Sequence, residues 1–431
     1  MITSPAWKDK KYAVLGLARS GRATVEALLA AGADMLVWDD RAEARKPYAG
    51  RCAIGDPLEA DLTGYAGVVV SPGVPLNTHP IKPHADSFGV PVIGDVELFA
   101  QAREHLPLHK VVGITGTNGK STTTALVHHI LKEAGLPTTM GGNIGLPILE
   151  QEPLTPNDIG VGIYVLELSS YQIDLTYSLD CDVAVLLNIT PDHLDRYDGD
   201  FGNYAAAKAR LFEMQSPRRF AVVDDRAEAD KDVLENAEDP LIQFIGDVDV
   251  GHLSDCPTLQ GPHNQQNAAA ASAVCSDLGL TDEQIAEGLR TYPGLPHRME
   301  RVAEISGVVY VNDSKGTNTA ASAPALAAFD NIHWILGGLA KEPGLGECEA
   351  ELGHVKAAYT IGKAGPDFAA LLEGRVPVEQ CETLDRAVSE AAAKAEAGDT
   401  VLLSPACASF DQYRDFEARG DHFRSLVEGL R

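Results

Sequence analysis

Residues 111–123 (VVGITGTNGKSTT) constrain the fold of this chain more than any other segment. A β-branched apolar run precedes a glycine-rich turn, and apolar residues then recur at helical spacing as far as Leu131. Strand, loop and helix in this order form the setting of a phosphate-binding loop, in which consecutive backbone N–H groups point at one anion. Lys120 adds a positive charge, and Ser121 or Thr122 offers a hydroxyl to Mg²⁺. We predict a nucleotide-binding loop that consists of Gly116, Thr117, Asn118, Gly119, Lys120, Ser121 and Thr122.

Composition bounds the size and the class of the protein. A chain of 431 residues is long enough for about three domains. The formal net charge of -27 repels polyanions and argues against nucleic acid or an anionic membrane as a partner. The seven cysteines are scattered without CxxC spacing, which indicates neither a disulfide framework nor a zinc site. Without a signal-peptide pattern or an apolar stretch of about 18 residues, we expect a cytoplasmic protein that does not span a membrane. We also expect a monomer.

The first part of the chain has the pattern of a nucleotide-binding βαβ unit. Residues 12–38 read as a strand, the turn GLARSG with a helix, and a second strand. Asp39 and Asp40 follow about 20 positions after the turn, where dinucleotide-binding folds carry an acidic residue. Ala18 replaces the middle glycine of that fingerprint and obstructs a pyrophosphate, which argues against an NAD site. Two interpretations stay open: a nucleotide held differently through Asp39 or Asp40, or a turn without a ligand.

Three side chains of the middle segment suit a metal site. Residues 160–168 predict a strand that places Glu167 at its carboxyl end, where α/β sheets bind ligands. A carboxylate at that place is either a Mg²⁺ ligand or a helix cap. His193 follows the next predicted strand and is either a metal ligand or a loop histidine. Lys208 lies in an alanine-rich predicted helix, where a solvated lysine is the commoner case.

The last third of the chain again alternates strands and helices, which predicts a further α/β sheet. Predicted strands at residues 308–311, 332–336 and 400–403 are each followed by polar or cationic residues. These following residues include Asp313, Lys315, Lys341 and Ser409. Because the carboxyl ends of parallel strands meet at one edge, we predict a binding edge there.

Together and in this order, these blocks resemble the Mur ligases of bacterial cell-wall synthesis over essentially the whole chain. The blocks are residues 113–123, 141–147, 167–172, 188–196, 204–210, 263–267 and 297–298. The resemblance implies an α/β protein of three domains. These are a Rossmann-like domain at residues 1–102 that binds a UDP substrate, a central P-loop ATPase-like domain at residues 103–299 that binds ATP, and a Rossmann-like α/β domain at residues 300–431 that binds an amino acid.

Three blocks favour one branch of the family. The turn GLARSG, residues 312–318 (NDSKGTN) and residues 404–420 resemble the members that join D-glutamate to UDP-N-acetylmuramoyl-L-alanine. The resemblance implies that ATP phosphorylates the alanyl carboxylate and that the amine of D-glutamate then displaces phosphate. The expected partners are these two small-molecule substrates and ATP. The alternative within the family is the addition of L-glutamate or another amino acid to the same nucleotide.

The resemblance also assigns roles to individual residues. The implied catalytic set is Lys120, Glu167, His193 and Lys208. Two Mg²⁺ sites are implied, one on Ser121 and Glu167 and one on His193 and Lys208, which the family carries as a carbamate. The implied contacts to ATP beyond the loop are Asn264, Asn267, Arg298, Asp313 and Lys315. The implied substrate contacts are Arg19, Ser20, Asp39, Asp40, Arg41, Ser71 and Gly73 for the UDP group, Asn143 and Ser169 nearby, and Thr317, Lys341, Ser409, Phe410 and Phe416 for D-glutamate.

Membership of another class of protein would account for fewer of these sequence features. An NAD-dependent oxidoreductase built on the turn GLARSG leaves the Lys120 loop without a role. A folylpolyglutamate synthase is a more distant ligase, and the UDP-type first domain argues against it. A non-catalytic nucleotide-binding regulator is disfavoured because Glu167, His193 and Lys208 are all present.

Overall fold

A computed structural model describes residues 1–225, 239–251, 253–256, 258–259 and 262–431. These residues form two compact units, Met1–Tyr292 and Pro293–Arg431. Within the described ranges, no helix combines the length and the apolar character needed to cross a membrane. The α-helices found there are α1 Arg19–Ala31, α2 Ala42–Arg45, α3 Ile81–Ser87, α4 Asp95–Ala102, α5 Lys120–Glu133, α6 Ser170–Asp174, α7 Phe201–Glu213, α8 Pro262–Asp277, α9 Asp282–Thr291, α10 Thr319–Ala327, α11 Gly365–Leu372, α12 Leu384–Lys394 and α13 Phe416–Glu428.

The first sheet consists of five parallel strands. They are β1 Lys11–Leu15, β2 Asp34–Trp38, β3 Ala53–Ile54, β4 Tyr65–Val70 and β5 Val92–Ile93. Their order in space is β3-β2-β1-β4-β5, which confirms the predicted βαβ unit. The order reverses between β1 and β4, and the crevice outside the carboxyl ends of two such strands is where open α/β sheets bind ligands.

The second sheet lies in the same unit and consists of six parallel strands. They are β6 His109–Thr115, β7 Thr138–Gly142, β8 Gly162–Glu167, β9 Val183–Leu186, β10 Phe220–Val223 and β11 Leu241–Phe244. Their order is β11-β10-β9-β6-β8-β7. β6 leads through the glycine-rich turn into α5, which confirms the predicted strand, loop and helix. Because β8 and β9 flank β6, the residues that follow these three strands meet at one edge.

The third sheet lies in the second unit and has six strands. They are β12 Glu300–Ile305, β13 Val308–Asn312, β14 Ile332–Gly337, β15 Val355–Ile361, β16 Val378–Glu382 and β17 Thr400–Leu403. Their order is β12-β13-β17-β14-β15-β16, and only the pair β12 and β13 in this sheet is antiparallel. β13, β17 and β14 are neighbours, so the polar residues that follow them lie along one edge, as their sequence positions predict.

The sequence analysis does not predict the edge strands β3, β7, β11, β12 and β16, and β7 and β12 show why. β7 ends in Gly141 and Gly142, and glycine is rare in strands. It forms because it pairs with β8 over its whole length at the edge of the second sheet. β12 mixes charged and apolar residues and pairs with β13 at the edge of the third sheet. An edge strand is covered on fewer sides than a central one, so its sequence carries a weaker apolar signal.

Gly21 offers a test of the packing between α1 and the turn after β1. A Cβ atom at position 21 would lie 1.9 Å from the carbonyl oxygen of Gly16, so the helix or the turn must shift to accommodate it. We expect Gly21→Ala to lower the free energy of unfolding by about 1–3 kcal/mol, seen as a lower thermal midpoint in calorimetry. Gly73→Ala is the matched control, because a Cβ there meets nothing within 4 Å. Equal midpoints for the two variants would contradict this packing.

Candidate active site

The turn after β6 contains a position that requires glycine. Gly119 has φ +85° and immediately precedes Lys120, the first residue of α5. A Cβ atom at position 119 would lie 2.4 Å from Oδ1 of Asn267. Glycine therefore permits both the left-handed backbone and the close approach of α8 to the loop. Ser121 and Thr122 are half-buried in the first turn of α5, whose N–H groups have no intrahelical acceptor and suit an anion.

Asn188, which follows β9, accepts hydrogen bonds from the glycine-rich loop after the neighbouring strand β6. Its carbonyl oxygen accepts from Thr117 N at 2.9 Å, and its Oδ1 accepts from Asn118 N at 2.9 Å. Oγ1 of Thr117 lies 3.1 Å from the hydroxyl of Tyr204 in α7. Sequence reasoning did not include Asn188 or Tyr204 among the site residues. Tyr204 could have been found, because it precedes Lys208 by four residues and so shares its helical face.

Two lysines converge on one carbonyl group of the loop. Nζ of Lys120 donates to Gly116 O at 2.9 Å and to Thr117 O at 2.8 Å. Nζ of Lys208 donates to the same Gly116 O at 2.9 Å. Lys208 is only 1% exposed, so the interpretation as a solvated helix lysine is wrong. The structure thus brings together two members of the predicted catalytic set.

The surroundings of Lys208 favour its uncharged form. Burial, and then the charge of Lys120, lower the pKa of Lys208 to about 7, because both disfavour an ammonium. Its Nζ lies 4.6 Å from the ring centre of Tyr204. A lysine with this pKa is about half free amine at neutral pH, and a free amine is a nucleophile. Lys208 can therefore form a bond to an electrophilic carbon such as that of CO₂.

Glu167 lies at the carboxyl end of β8 and is 2% exposed. Its Oε1 accepts from Asn143 Nδ2 at 3.0 Å, whereas its Oε2 is buried with no hydrogen-bond partner among the described residues. A buried carboxylate oxygen without a partner is costly, and a hard cation such as Mg²⁺ would satisfy it. The helix-cap alternative for Glu167 is wrong, because α6 is capped by Ser169, whose Oγ accepts from Gln172 N at 3.3 Å.

His193 lies in the loop after β9 and has φ +52°. Its side chain is 56% exposed, and its Nε2 lies 3.5 Å from Oδ2 of Asp192. In the part of the chain that the structure describes, no three His, Cys, Asp or Glu side chains are grouped to hold a metal ion. Mg²⁺ is commonly bound by one or two carboxylates together with substrate phosphates. The residues at this edge therefore fit Mg²⁺ that arrives with a nucleotide.

Asn264 and Asn267 lie on one face of α8, as their spacing of three residues predicts. Nδ2 of Asn267 donates to Oδ1 of Asn264 at 3.1 Å. Oδ1 of Asn267, which is 3% exposed, accepts from Oγ1 of Thr123 at 3.2 Å. Asn267 therefore joins α8 to the beginning of α5, directly behind the loop.

Asp39 and Ser71 bind the turn after β1 from its two neighbouring strands. Oδ2 of Asp39 accepts from Leu17 N at 2.7 Å, and Oδ1 accepts from Nε of Arg41 at 3.0 Å. Hydrogen bonding to the Arg41 guanidinium lowers the pKa of Asp39 to about 2. From the other side, Oγ of Ser71 donates to Gly16 O at 3.0 Å. Asp39 thus shapes the turn with its carboxylate.

The remaining residues predicted to contact the UDP group follow β1, β2 and β4 at the same edge. Ser20 is half-buried, whereas the exposed ones are Arg19, Asp40, Arg41 and Gly73. Nη2 of Arg19 donates to Gly145 O at 2.9 Å. Gly145 belongs to the loop after β7, so Arg19 connects the carboxyl edge of the first sheet with that of the second.

In the second unit, Asp313 follows β13 and is 5% exposed. Its Oδ2 accepts from Ser404 Oγ at 2.7 Å, and its Oδ1 accepts from Met299 N at 3.2 Å. Burial raises the pKa of Asp313 to about 6. Asp313 thus joins the ends of β13 and β17. Arg298, half-buried nearby, lies within electrostatic range of it.

The structure pairs four of the other residues predicted in this unit. Nζ of Lys341 lies 3.3 Å from Oγ1 of Thr317. Nζ of Lys315 lies 4.4 Å from the ring centre of Phe416. These pairs bring the loop after β13 together with the loop after β14 and with the start of α13.

Arg419 is a buried cation that sequence reasoning missed. It is 1% exposed, and it donates from Nε to Ser314 Oγ at 3.0 Å and from Nη1 to Cys407 O at 3.1 Å. It therefore joins the loops after β13 and β17. In the second of these loops, Ser409 is buried and Phe410 is 70% exposed. An arginine in an amphipathic helix gives no sequence signal of burial.

Comparison with known protein families places this chain in one class. Three family models match the chain: "Mur ligase MurD-like, N-terminal domain" at residues 10–94, "Mur ligase middle domain" at residues 114–246, and "Mur ligase, glutamate ligase domain" at residues 297–407. The chain belongs to the Mur ligase family, an assignment that its full-length relatives support equally.

Those relatives carry a more specific name, UDP-N-acetylmuramoylalanine--D-glutamate ligase. The protein of that name from Novosphingobium aromaticivorans is 59% identical and aligns over 100% of this chain and 97% of its own length. The one from Sphingopyxis alaskensis is 57% identical, and the one from Zymomonas mobilis is 53% identical, each over 100% of both chains.

Solved structures share the fold at low sequence identity. UDP-N-acetylmuramate-alanine ligase MurC from Thermotoga maritima has a TM-score of 0.59 and 16% identity, over 98% of this chain and 100% of that one. MurF ligase from the same organism, solved in complex with ADP, has a TM-score of 0.59 and 16% identity over 99% and 97%. At this identity the likeness shows the three-sheet fold alone.

Lys208 leads to a pH-dependent prediction of stability. Its pKa is about 7 in the folded chain against an ordinary value of 10.5, so between these values the unfolded chain binds the additional proton. The free energy of unfolding of the wild type therefore rises with pH in this window. Lys208→Met lacks this dependence, so its free energy of unfolding relative to that of the wild type should fall by about 2 kcal/mol from pH 7 to pH 9.

Urea unfolding in CO₂-free buffer at several pH values measures this difference. Lys132→Met, at an exposed position of α5, is the matched control. A difference between Lys208→Met and the wild type that stays constant with pH would contradict the lowered pKa.

Proposed function

We propose that this chain joins the amine of D-glutamate to the alanyl carboxylate of UDP-N-acetylmuramoyl-L-alanine and cleaves ATP to ADP and phosphate, in peptidoglycan synthesis. Membership of the Mur ligase family and the shared name of full-length relatives at 53–59% identity support this reaction. A carboxylate oxygen attacks the γ-phosphorus and ADP leaves. The amine nitrogen then attacks the carbonyl carbon and loses a proton, and phosphate departs with that oxygen.

The observation that carries the proposal is the convergence of Lys120, Lys208 and Glu167 at one edge of the second sheet. The lysines share the carbonyl of Gly116, and Glu167 retains a buried oxygen without a partner among the described residues. The first step brings a carboxylate onto a triphosphate. At about 4 Å and an effective dielectric constant near 20, two unit charges repel by about 4 kcal/mol. The positive charge of Lys120, together with Mg²⁺ ions that Glu167 and a carbamate on Lys208 would hold, would offset that repulsion.

Mg²⁺ is part of this proposal. Ser121 and Glu167 would hold one ion, and His193 with a carbamate on Lys208 would hold a second. When bound, the ions neutralise charge on the phosphate oxygens. The lowered pKa of Lys208 supports the carbamate: the free amine forms a bond to the carbon of CO₂ and loses a proton. The product presents an anionic oxygen, which ligates a cation, whereas an ammonium does not.

The remaining parts of the proposal divide the substrates among three regions. Residues 1–102 bind the UDP group, residues 103–299 bind ATP, and residues 300–431 bind D-glutamate. The exposed side chains Asp40 and Arg41 are available to the nucleotide in the first region. We propose that the enzyme acts as a monomer in the cytoplasm.

Phosphate release tests the reaction. With ATP and Mg²⁺, we expect the purified protein to release phosphate only when UDP-N-acetylmuramoyl-L-alanine and D-glutamate are both present. One phosphate should appear for each peptide bond formed, as measured by chromatography of the UDP product. L-Glutamate in parallel should support little release. Release that does not require D-glutamate, or equal rates with the two isomers, would contradict the proposal.

Replacement of Lys208 tests the carbamate. We expect Lys208→Ala and Lys208→Arg each to lower the ligation rate at least about 100-fold, because neither side chain forms a carbamate. Lys132→Ala, at an exposed position of α5, is the control and should retain activity. The wild type, but not the Lys208 variants, should show a carbamate carbon signal by NMR with ¹³C-labelled bicarbonate. An active Lys208→Arg variant would refute this role.

A further inference from the structure

A seam in the first unit joins the loop after β4 to the loop after β9. We name residues 72–77 the β4 loop and residues 192–197 the β9 loop. Nη2 of Arg196 donates to Val74 O at 3.0 Å and to Pro72 O at 3.3 Å. In the other direction, Nδ2 of Asn77 donates to Asp195 O at 2.9 Å. The two loops are therefore linked by side-chain donors on both sides of the seam.

The guanidinium of Arg196 also rests on an aromatic side chain next to His193. Its Cζ lies 4.2 Å from the ring centre of Tyr171, a distance that gives a cation–π interaction. The ring centre of Tyr171 lies 5.4 Å from that of His193. Arg196 thus contacts both the β4 loop and the tyrosine that borders the predicted metal ligand.

Packing alone does not fix the β4 loop in the seam. A cavity of about 50 Å³ lies between the two loops and is lined by Pro72, Val74, Tyr171 and Arg196 among others. A gap of this size removes contacts from the atoms around it. The backbone hydrogen bonds that the β4 loop makes with the residues flanking it, such as Val74 N to Ser71 O and His79 N to Pro75 O, are local. They set the shape of the loop, whereas the bonds from Arg196 and from Asn77 join it to the β9 loop.

We propose that Arg196 is a positioning residue for the ligation: it holds the β4 loop, which contains Gly73 and directly follows Ser71, at a fixed place relative to His193. The inference rests on the proposed function, because Ser71 and Gly73 are predicted to contact the UDP substrate. The planar guanidinium is suited to this task, since it donates to two carbonyl groups while it stacks on Tyr171. Arg196 itself need not touch the reacting atoms.

Two variants test the positioning role. Arg196→Ala removes the donors and the stacked group, and hydrogen bonds from a charged donor are strong enough for their loss to weaken binding about 10- to 100-fold. We expect the KM for UDP-N-acetylmuramoyl-L-alanine to rise by that factor, while the KM for ATP stays within about two-fold. Arg196→Lys keeps the charge without the planar fork, so we expect it to recover only part of the loss.

Arg51→Ala is the matched control. Arg51 also donates two hydrogen bonds, to Glu26, and also lies near a tyrosine ring, 5.7 Å from that of Tyr48. Arg51 is exposed and lies outside both the β4 loop and the β9 loop. We expect Arg51→Ala to keep all three KM values, although it removes the same kind of side chain from the same unit.

The changes in KM and in kcat distinguish a positioning role of Arg196 from a purely structural one. A selective rise in the KM for the UDP substrate, with thermal stability similar to that of Arg51→Ala, supports positioning. Unchanged constants in Arg196→Ala would overturn it. A uniform loss of kcat together with a large loss of thermal stability would also overturn it, because such a result indicates a purely structural role.

Calorimetric binding of UDP-N-acetylmuramoyl-L-alanine separates this proposal from the proposed function. If the wild type binds this nucleotide but forms no peptide bond, the proposed function fails. Binding by the Arg196 variants then still tests positioning, and a weakening of about 10-fold or more is expected. Equal affinity of Arg196→Ala and the wild type would overturn the positioning role in either case.

Discussion

The carbonyl oxygen of Gly116 accepts hydrogen bonds from two lysines, Lys120 and Lys208. Burial, and then the charge of Lys120, disfavour the ammonium form of Lys208. An anionic ligand in the loop relieves the second of these penalties. The chemistry at the carboxyl edge of the second sheet follows from these two effects: a polyanion is attracted to the loop, and Lys208 is about half free amine at neutral pH.

The two sheets of the first unit meet through residues at their carboxyl edges. Arg19 connects the turn after β1 with the loop after β7, and Arg196 connects the β4 loop with the β9 loop. Ligand sites in parallel sheets form at these ends of the strands. A nucleotide bound at the first sheet is therefore placed beside the edge that carries Glu167 and Lys208, which is what a transfer between a UDP substrate and ATP requires.

The parts of the fold that the sequence predicts are those set by local pattern. The strand, loop and helix around Lys120 follow from apolar spacing and glycine placement within one short segment. The neighbours β13, β17 and β14 were predicted to share an edge because polar residues follow each strand. β7 and β12 could not be predicted, since each is formed by pairing with one partner strand at a sheet edge.

The residues of the site also divide into those that local sequence pattern predicts and those that depend on tertiary packing. Ser121 and Glu167 are found where their positions after strands predict them. The burial of Lys208 and Arg419, by contrast, depends on tertiary packing, and base rates favour exposure for both residue types. The contact between Asn188 and the loop joins residues about 70 positions apart in the chain. Asn188 belongs to the block at residues 188–196, but no periodicity in the sequence predicts this contact.

In the proposed reaction, ATP cleavage makes an inert carboxylate reactive by forming an acyl phosphate. The most direct measurement follows ¹⁸O by mass spectrometry from UDP-N-acetylmuramoyl-L-alanine that is labelled at both oxygens of the alanyl carboxylate. If the acyl phosphate forms, each inorganic phosphate released during ligation contains one ¹⁸O atom, and the other label remains in the new amide. Phosphate without ¹⁸O, formed together with the peptide bond, would contradict this mechanism.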